Sequence, residues 1–370
     1  MRLFPTRIRR AATLLVTALQ LAACASPSYY AQAIGGHLEL MRQREPVAQL
    51  LAADAAGAGR AAPIDPELRQ KLELAREIRA FGVSQLGLPD NGSYTQFVQT
   101  GRDAVTWIVL ATPEFSLQPR RWCFLFAGCV PYRGYFERQS ADRFADRLAA
   151  DGLDVAVSPA AAYSTLGWFE DPLLDTMLRY RDERLAAMIL HELAHQQLYV
   201  RGDADFNESY ASFIEETGVA LWLRSSGRAD RLPGWQRERA AARDLDERLR
   251  KARGALASIY ASREPPAAKR LRKEAALAAL REDYYGLVRD RWKGADYFAG
   301  WFAGELNNAR LALFDSYRGG VCAFAALYRA AGENMARFQA LAAEQAALDD
   351  EARRDWLGQD CGAVASHGDL

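Results

Sequence analysis

The sequence lacks net charge, and beyond its N-terminus it lacks long hydrophobic runs. Its 370 residues include 47 basic and 47 acidic side chains, so the formal net charge at pH 7 is zero. A nucleic-acid-binding protein normally carries a strongly basic face, and we therefore predict no nucleic-acid partner. No later apolar run reaches the roughly 20 residues that a membrane-spanning helix needs. Half of the residues are hydrophobic, which is enough to form a buried core.

The apolar run near the N-terminus is itself too short to span a membrane. It covers 13 residues, at 11–23, and four arginines precede it: Arg2, Arg7, Arg9 and Arg10. Positive charge followed by a short apolar segment is typical of a secretory signal peptide, which is removed from the mature protein. We therefore predict a signal peptide at 1–23.

The end of this segment, Leu21-Ala22-Ala23-Cys24, resembles a bacterial lipobox. In such signals the cysteine becomes the lipidated first residue of the mature protein. The resemblance implies a membrane anchor at Cys24, a tether over 24–36 and a place in the bacterial cell envelope. Because Ala25 rather than aspartate follows the cysteine, enterobacterial sorting implies the outer membrane, facing the periplasm. An ordinary signal peptide with a chance cysteine is the alternative.

Cysteine is scarce, with five in the chain, of which the lipid would use one. The remaining four, Cys123, Cys129, Cys322 and Cys361, allow three pairings. The pairing closest in sequence joins Cys123 to Cys129 and Cys322 to Cys361, and an oxidising periplasm permits both bonds. The alternative is that some of these cysteines remain buried free thiols.

The remaining patterns predict an α+β fold. Asp65-Pro66 is a good N-cap and first-turn pair for a helix. The apolar sequence VTWIVL at 105–110 predicts a buried strand, and a small mixed sheet is expected within 93–160. Almost every segment from 173 onward has a helical pattern, including one helix over 297–314.

We expect a single domain over 37–370. Its N-terminal part, 37–172, contributes helices and the small sheet, which packs on a mostly helical body over 173–370. A charged run over 237–253 is interpreted as a solvated helix face.

Histidine is the rarest residue, and two of the four histidines lie four positions apart. His191 and His195 enclose Glu192 in the sequence HELAH. In a helix, positions i and i+4 share one face, so both imidazoles can bind one zinc ion at about 2.0–2.1 Å. Glu192 can then act as general base on the zinc-bound water. A surface helix that matches by chance is the alternative, and His37 and His367 are predicted to be bystanders.

A catalytic zinc site takes three protein ligands and leaves one position for water. No third histidine follows at the short spacing of the metzincins, so the candidate is a carboxylate on the next predicted helix. Asn207-Glu208, within DFNESYASFIEETGV, resembles the second-helix motif of gluzincin peptidases. The resemblance implies Glu208 as the third ligand of one Zn²⁺ per chain. The twelve residues between His195 and Glu208 are fewer than in the familiar gluzincins, and Glu215 and Glu216 are rival ligands.

Most of the mature chain resembles a set of bacterial proteins known as predicted aminopeptidases. The resemblance rests on WC at 122–123, AGCVPYRGYF at 127–136, YSTLGWF at 163–169, DP at 171–172, HELAHQ at 191–196, NE at 207–208 and LNNA at 306–309. It implies a zincin-like body and a zinc-dependent peptidase that trims peptide substrates from the amino end. Glu192 would take a proton from the zinc-bound water and deliver it to the leaving amine.

Two other functions remain open. The Gly-x-Met-Glu-Asn segment with which M1-type aminopeptidases recognise a free amine is not found upstream of the zinc helix, so an envelope endopeptidase with the same site is one alternative. The other is a non-catalytic zinc-binding lipoprotein, which would have a closed site and no need of Glu192.

A tetrahedral intermediate also needs a donor for its oxyanion. Tyrosine is a common choice in gluzincins, and Tyr297 is our candidate. The competing tyrosines are Tyr132, Tyr135, Tyr163 and Tyr210.

Overall fold

The computed structural model describes residues 27–55, 64–124, 128–162, 170–315 and 320–358. The predicted signal peptide, Cys24, Tyr163, Cys361 and His367 lie outside these ranges. Within them the chain is mostly helical with small sheets, which agrees with the predicted α+β class. No helix in the described part is long and apolar enough to cross a membrane.

Helices form most of the described chain. In order they are α1 Pro27–Arg42, α2 Val47–Ala55, α3 Pro66–Leu86, α4 Arg138–Ala150, α5 Asp175–Leu178, α6 Asp182–Gln197, α7 Ala204–Ser225, α8 Leu232–Ala261, α9 Pro266–Gly286, α10 Ala299–Phe302, α11 Asn308–Asp315, α12 Val321–Ala330, α13 Met335–Ala346 and α14 Asp350–Leu357. A 3₁₀-helix, Ala229–Arg231, precedes α8, and a π-helical turn, Leu287–Arg291, follows α9. Helix α1 begins inside the segment that was expected to be a tether.

The strands are short. They are β1 Glu45–Pro46, β2 Gln96–Val98, β3 Thr106–Pro113, β4 Trp122–Phe124, β5 Gly128–Val130, β6 Tyr132–Tyr135, β7 Leu153–Ala160 and β8 Leu173–Leu174. Strand β3 is the centre of an antiparallel sheet between β6 and β7. A second sheet is mixed, because β2 pairs antiparallel with β1 and parallel with β8.

Two of the sequence predictions are visible in the N-terminal part. The Asp65 carboxylate accepts hydrogen bonds from the backbone N–H groups of Glu67 and Leu68, so it caps α3 as predicted. The paired strands β4 and β5 carry a disulfide between Cys123 and Cys129. Cys322 is also disulfide-bonded, and Cys361, its expected partner, lies outside the described residues.

Helices α3 and α7 pack closely on the middle of α6 and on each other. A Cβ atom on Gly82 of α3 would lie 2.9 Å from the side chain of Leu190, and one on Gly218 of α7 would lie 2.7 Å from the side chain of Leu86. Both distances are shorter than van der Waals contact, so a close-packed core leaves no room for a larger residue at either position. This packing fixes α6 against α7, the two helices that carry the motif residues.

A second hydrophobic core lies under the long helices α8 and α9. It includes the short helices α10 and α11, and the stacked rings of Tyr284 and Phe302 lie 3.6 Å apart. Lys273 of α9 connects this part to the sheet, because its ammonium group lies 2.6 Å from the carboxylate of Asp154 in β7.

The prediction of one helix over 297–314 was wrong. The structure has two short helices there, α10 and α11, separated by irregular residues at 303–307. The side-chain oxygen of Asn307 accepts a hydrogen bond from the Arg310 backbone N–H at 2.8 Å. An asparagine in this position favours a new helix start over continuation of the preceding helix.

Candidate metal centre

Helix α6 brings its two histidines to one face. Leu190, Leu193 and Ala194 of the same helix are fully buried in the main core, which fixes the rotation of the helix about its axis. His191 and His195 therefore lie one turn apart on the adjoining face, with ring centroids 4.8 Å apart. Their Nε2 atoms face each other at 3.2 Å, so two imidazole nitrogens converge on one point.

The connection from α6 to α7 is closed by Asn207. Its side-chain oxygen accepts a hydrogen bond from the Val200 backbone N–H at 2.7 Å, and its amide nitrogen donates to the Val200 carbonyl at 2.8 Å. This pair of bonds fixes the short loop at 198–203 against the first turn of α7. With the loop held in this way, the twelve residues between His195 and Glu208 are enough to bring Glu208 back to the two histidines.

Glu208 completes a triangle of ligand atoms. Its carboxylate oxygens lie 3.4 Å from the Nε2 atom of His191 and 3.6 Å from the Nε2 atom of His195. With donor bonds of 2.0–2.2 Å, the ligands of a tetrahedral zinc ion lie roughly 3.3–3.6 Å from one another. The 3.4 and 3.6 Å distances go to the two different oxygens of Glu208, and with one ligand atom from each residue all three atoms lie within 4.8 Å of one another. His191, His195 and Glu208 could therefore hold one metal ion.

The electrostatics of the triangle also fit a cation. Burial alone would lower the pKa of His191, but its contacts with the carboxylates of Glu208 and Glu215 outweigh burial and raise the pKa. Burial raises the pKa of Glu208, yet its contacts with His191 and His195 outweigh burial and hold the pKa low. The buried Oε2 atom of Glu208 has no hydrogen-bond partner among the described residues. A buried acceptor without a donor is costly, and a metal ion at this point would satisfy it.

Glu215, the rival ligand, contacts the opposite nitrogen of His191. Its carboxylate lies 3.2 Å from Nδ1 of that histidine and 3.0 Å from the guanidinium of Arg239. A carboxylate on the non-ligating nitrogen fixes the orientation and tautomer of a metal-binding histidine. The geometry therefore assigns Glu215 the role of positioning His191, with Arg239 holding it in turn.

Arg239 does not fit the interpretation of the charged run at 237–253 as a solvated helix face. Its side chain is only 6 % exposed, and the guanidinium lies 4.3 Å from the ring of Trp235. Helix α8 thus presents one arginine to the site while most of its other charges face solvent. Sequence composition did not distinguish this arginine from its neighbours.

Replacing Glu215 by alanine should weaken metal binding without abolishing it. We expect metal affinity to fall by about 10- to 100-fold, as is typical for loss of such a supporting group. Titration with a competing chelator measures this change. Glu215→Gln is the matched control, because its amide keeps an oxygen for His191, and it should lose less affinity. A complete loss of metal in Glu215→Ala would mean that Glu215 is itself a ligand.

A comparison with protein families assigns the chain to a known family. A family model described as "Putative aminopeptidase" matches residues 28–357. The chain belongs to this family. No curated protein and no solved structure matches it. The match spans the sheet and both helices that carry the triangle, and the family description suggests peptidase activity.

The tyrosines of this aminopeptidase-family protein lie in different surroundings. The described ring contacts of Tyr297 are with Trp292 and Phe298, beside the second core. Tyr210 is buried and its hydroxyl donates to Gln339 at 2.5 Å, and Tyr135 packs on Phe144. None of these three is joined to the triangle by a hydrogen bond within the described part of the chain. The role of Tyr297 stays a prediction.

Among the candidate tyrosines that the structure describes, Tyr132 at the start of β6 is the one on which the charges of the site act. The residue is 42 % exposed as a whole. Desolvation of its hydroxyl, together with the negative charges of Glu208 and Glu192, raises the pKa of Tyr132. A raised pKa keeps the phenol protonated at neutral pH, so it remains a hydrogen-bond donor. Tyr132 lies far from the motif in sequence, and in the sheet it is paired with Leu110 of β3.

Proposed function

We propose that the protein is a zinc-dependent peptidase, with removal of amino-terminal residues as its preferred activity. The observation that carries the proposal is the triangle of His191, His195 and Glu208, whose candidate ligand atoms all lie within 4.8 Å of one another. Three protein ligands are typical of a catalytic zinc site, whereas a structural site has four. A structural site would also have no need of a carboxylate at Glu192.

The residues around the triangle have different roles in the proposed hydrolysis. A zinc ion held there would supply a Lewis acid that polarises water and the scissile carbonyl. The Glu192 carboxylate accepts a proton from the attacking water and later donates it to the leaving amine. Glu215 keeps His191 in the orientation that directs its Nε2 atom to the other ligands. The Tyr132 hydroxyl is the donor that we assign to the developing oxyanion.

The proposal is tested by digestion of defined peptides with the purified protein. Each peptide is supplied with a free and with an acetylated amino terminus, and products are identified by mass spectrometry. An aminopeptidase releases single residues from free termini only, and chelation stops the release. Cleavage inside acetylated peptides would instead establish the endopeptidase alternative. Absence of any chelator-sensitive cleavage across a broad peptide set would contradict both.

Replacing Tyr132 by phenylalanine tests its assigned role. Loss of one oxyanion donor typically lowers kcat by about 10²–10³-fold, and we expect an effect of this size with metal content unchanged. Steady-state kinetics on a cleaved peptide measures it. Tyr297→Phe is the matched comparison from the sequence prediction. If Tyr297→Phe lowers kcat while Tyr132→Phe does not, the assignment is reversed.

We also propose that the mature protein is anchored to the cell envelope through a lipid on Cys24, at the outer membrane and facing the periplasm. The lipobox-like sequence supports the anchor, and the disulfide between Cys123 and Cys129 is compatible with an oxidising compartment. Cell fractionation of a Cys24→Ala variant tests the proposal, because the variant should leave the membrane fraction. An unchanged distribution would contradict the lipid anchor.

A further inference from the structure

Tyr94 combines two unfavourable features beside the site. Its backbone has a φ of 62°, a left-handed conformation that is an outlier for a bulky residue. The side chain is 1 % exposed, and no described residue bonds its buried hydroxyl. Residues held in sparsely populated conformations cluster at functional sites, where the surrounding structure enforces them. Both features together suggest that Tyr94 is kept for a reason other than stability.

The turn around Tyr94 is held firmly in place. The Tyr94 backbone N–H donates to the Asp171 carbonyl at 2.7 Å, and the Arg79 guanidinium donates to the Ser93 carbonyl at 2.9 Å. The Asn91 amide donates to the side-chain oxygen of Gln196 at 2.7 Å. The last bond attaches the turn directly to α6. The position of Tyr94 relative to that helix is therefore fixed from three sides.

This attachment places the turn over the face of α6 that carries the proposed general base. Gln196 is four residues after Glu192, so the two side chains share one face of the helix, one turn apart. The negative charge of Glu192 also acts on the phenol, since burial and the charges of Glu192 and Asp171 raise the pKa of Tyr94. The hydroxyl therefore stays protonated and able to donate.

The Glu192 carboxylate can accept a hydrogen bond, and the Tyr94 hydroxyl can donate one. A general base must be oriented by a further group, yet no hydrogen bond or ion pair with another described residue holds the Glu192 carboxylate. Tyr94 is a buried donor without an acceptor among the described residues. Asp171 is the other nearby acid; its charge raises the pKa of Tyr94 less than that of Glu192 does, and its carboxylate accepts from the Gln196 amide at 3.5 Å.

We propose that Tyr94 is a positioning residue for Glu192. Its hydroxyl donates a hydrogen bond to the Glu192 carboxylate, either directly after a side-chain rotation of Glu192 or across one water molecule. The bond holds the carboxylate toward the His191–His195–Glu208 triangle, where the attacking water would lie. The inference rests on the proposed peptidase function, and it adds a residue that the HELAH motif does not contain.

The experiment compares wild-type protein with Tyr94→Phe, which removes only the hydroxyl. We expect kcat on a cleaved peptide to fall by about 10- to 100-fold, with KM and metal content unchanged. Because the lost hydroxyl has no partner among the described residues, the melting temperature of both metal-loaded and metal-free protein should stay the same or rise. A residue with a purely structural hydroxyl would show the opposite pattern.

Tyr284→Phe is the control for that opposite pattern. The Tyr284 hydroxyl is bonded to Asp296 in the second core, so its loss should lower the melting temperature and leave kcat unchanged. Wild-type kcat in Tyr94→Phe, beside an inactive Glu192→Gln, would overturn the inference and leave the proposed function intact. A rise in KM alone, or a loss of metal or of stability, would also overturn it. Full activity in Glu192→Gln would overturn the proposed function and this inference together.

Discussion

Glu192→Gln should lose nearly all peptidase activity while it keeps its metal. General acid–base catalysis by one positioned side chain contributes about 10²–10⁴-fold to the rate, and an amide cannot accept the proton of the attacking water. The substitution is nearly isosteric, and no described residue hydrogen-bonds to the Glu192 carboxylate, so the fold should be unaffected. The measurement is kcat on a cleaved peptide, with metal content determined on the same sample.

Glu216→Gln is the matched control for this result. Glu216 lies on α7, one residue after Glu215, and its carboxylate is 3.7 Å from the guanidinium of Arg243. It takes no part in the proposed site, so its loss of charge should leave kcat unchanged. A fall in kcat of the same size in both variants would show that general loss of negative charge, and not loss of the base, reduces activity.

Removal of the metal should lower thermal stability, which is the second large effect that we expect. A ligand that binds only the folded state at a thousand times its Kd adds about 4 kcal/mol to the free energy of unfolding. Chelation removes this contribution, so the melting temperature of the wild-type protein should fall and recover when zinc is restored.

The same measurement on Glu208→Ala separates specific binding from other effects of the chelator. This variant lacks the third ligand, and its melting temperature should be insensitive to chelator and to added zinc. An equal response in wild type and Glu208→Ala would place the stabilising metal elsewhere in the chain. No response in either protein would contradict metal binding in the folded state.

The site prediction rests mainly on the spacing of residues that are close together in the sequence. His191 and His195 are four residues apart on one helix, and helix geometry alone determines that they share a face. Glu208 was reached through its resemblance to a known second-helix motif, and the structure shows how Asn207 makes the short connection possible. The prediction was therefore strongest where a few neighbouring residues decide the geometry.

The groups that surround this core were not predictable in the same way. Arg239 lies 24 residues after Glu215 in sequence, and Tyr132 and Tyr94, which we propose to act at the site, lie in the sheet and in a turn. Their positions depend on tertiary packing, which no local pattern encodes. The segment that contains Tyr297 illustrates the limit for secondary structure, because its pattern predicts one long helix and the structure has two short ones beside the second core.

The measurement that tests the central claim most directly is elemental analysis of the purified protein, run in parallel on wild type, Glu208→Ala and Glu215→Ala under zinc-replete conditions. We predict about one zinc ion per chain in wild type, because the structure offers one set of three converging ligand atoms among the described residues. The ion should be lost in Glu208→Ala and retained in Glu215→Ala. Wild-type protein without stoichiometric zinc, or a full complement of zinc in Glu208→Ala, would contradict the account.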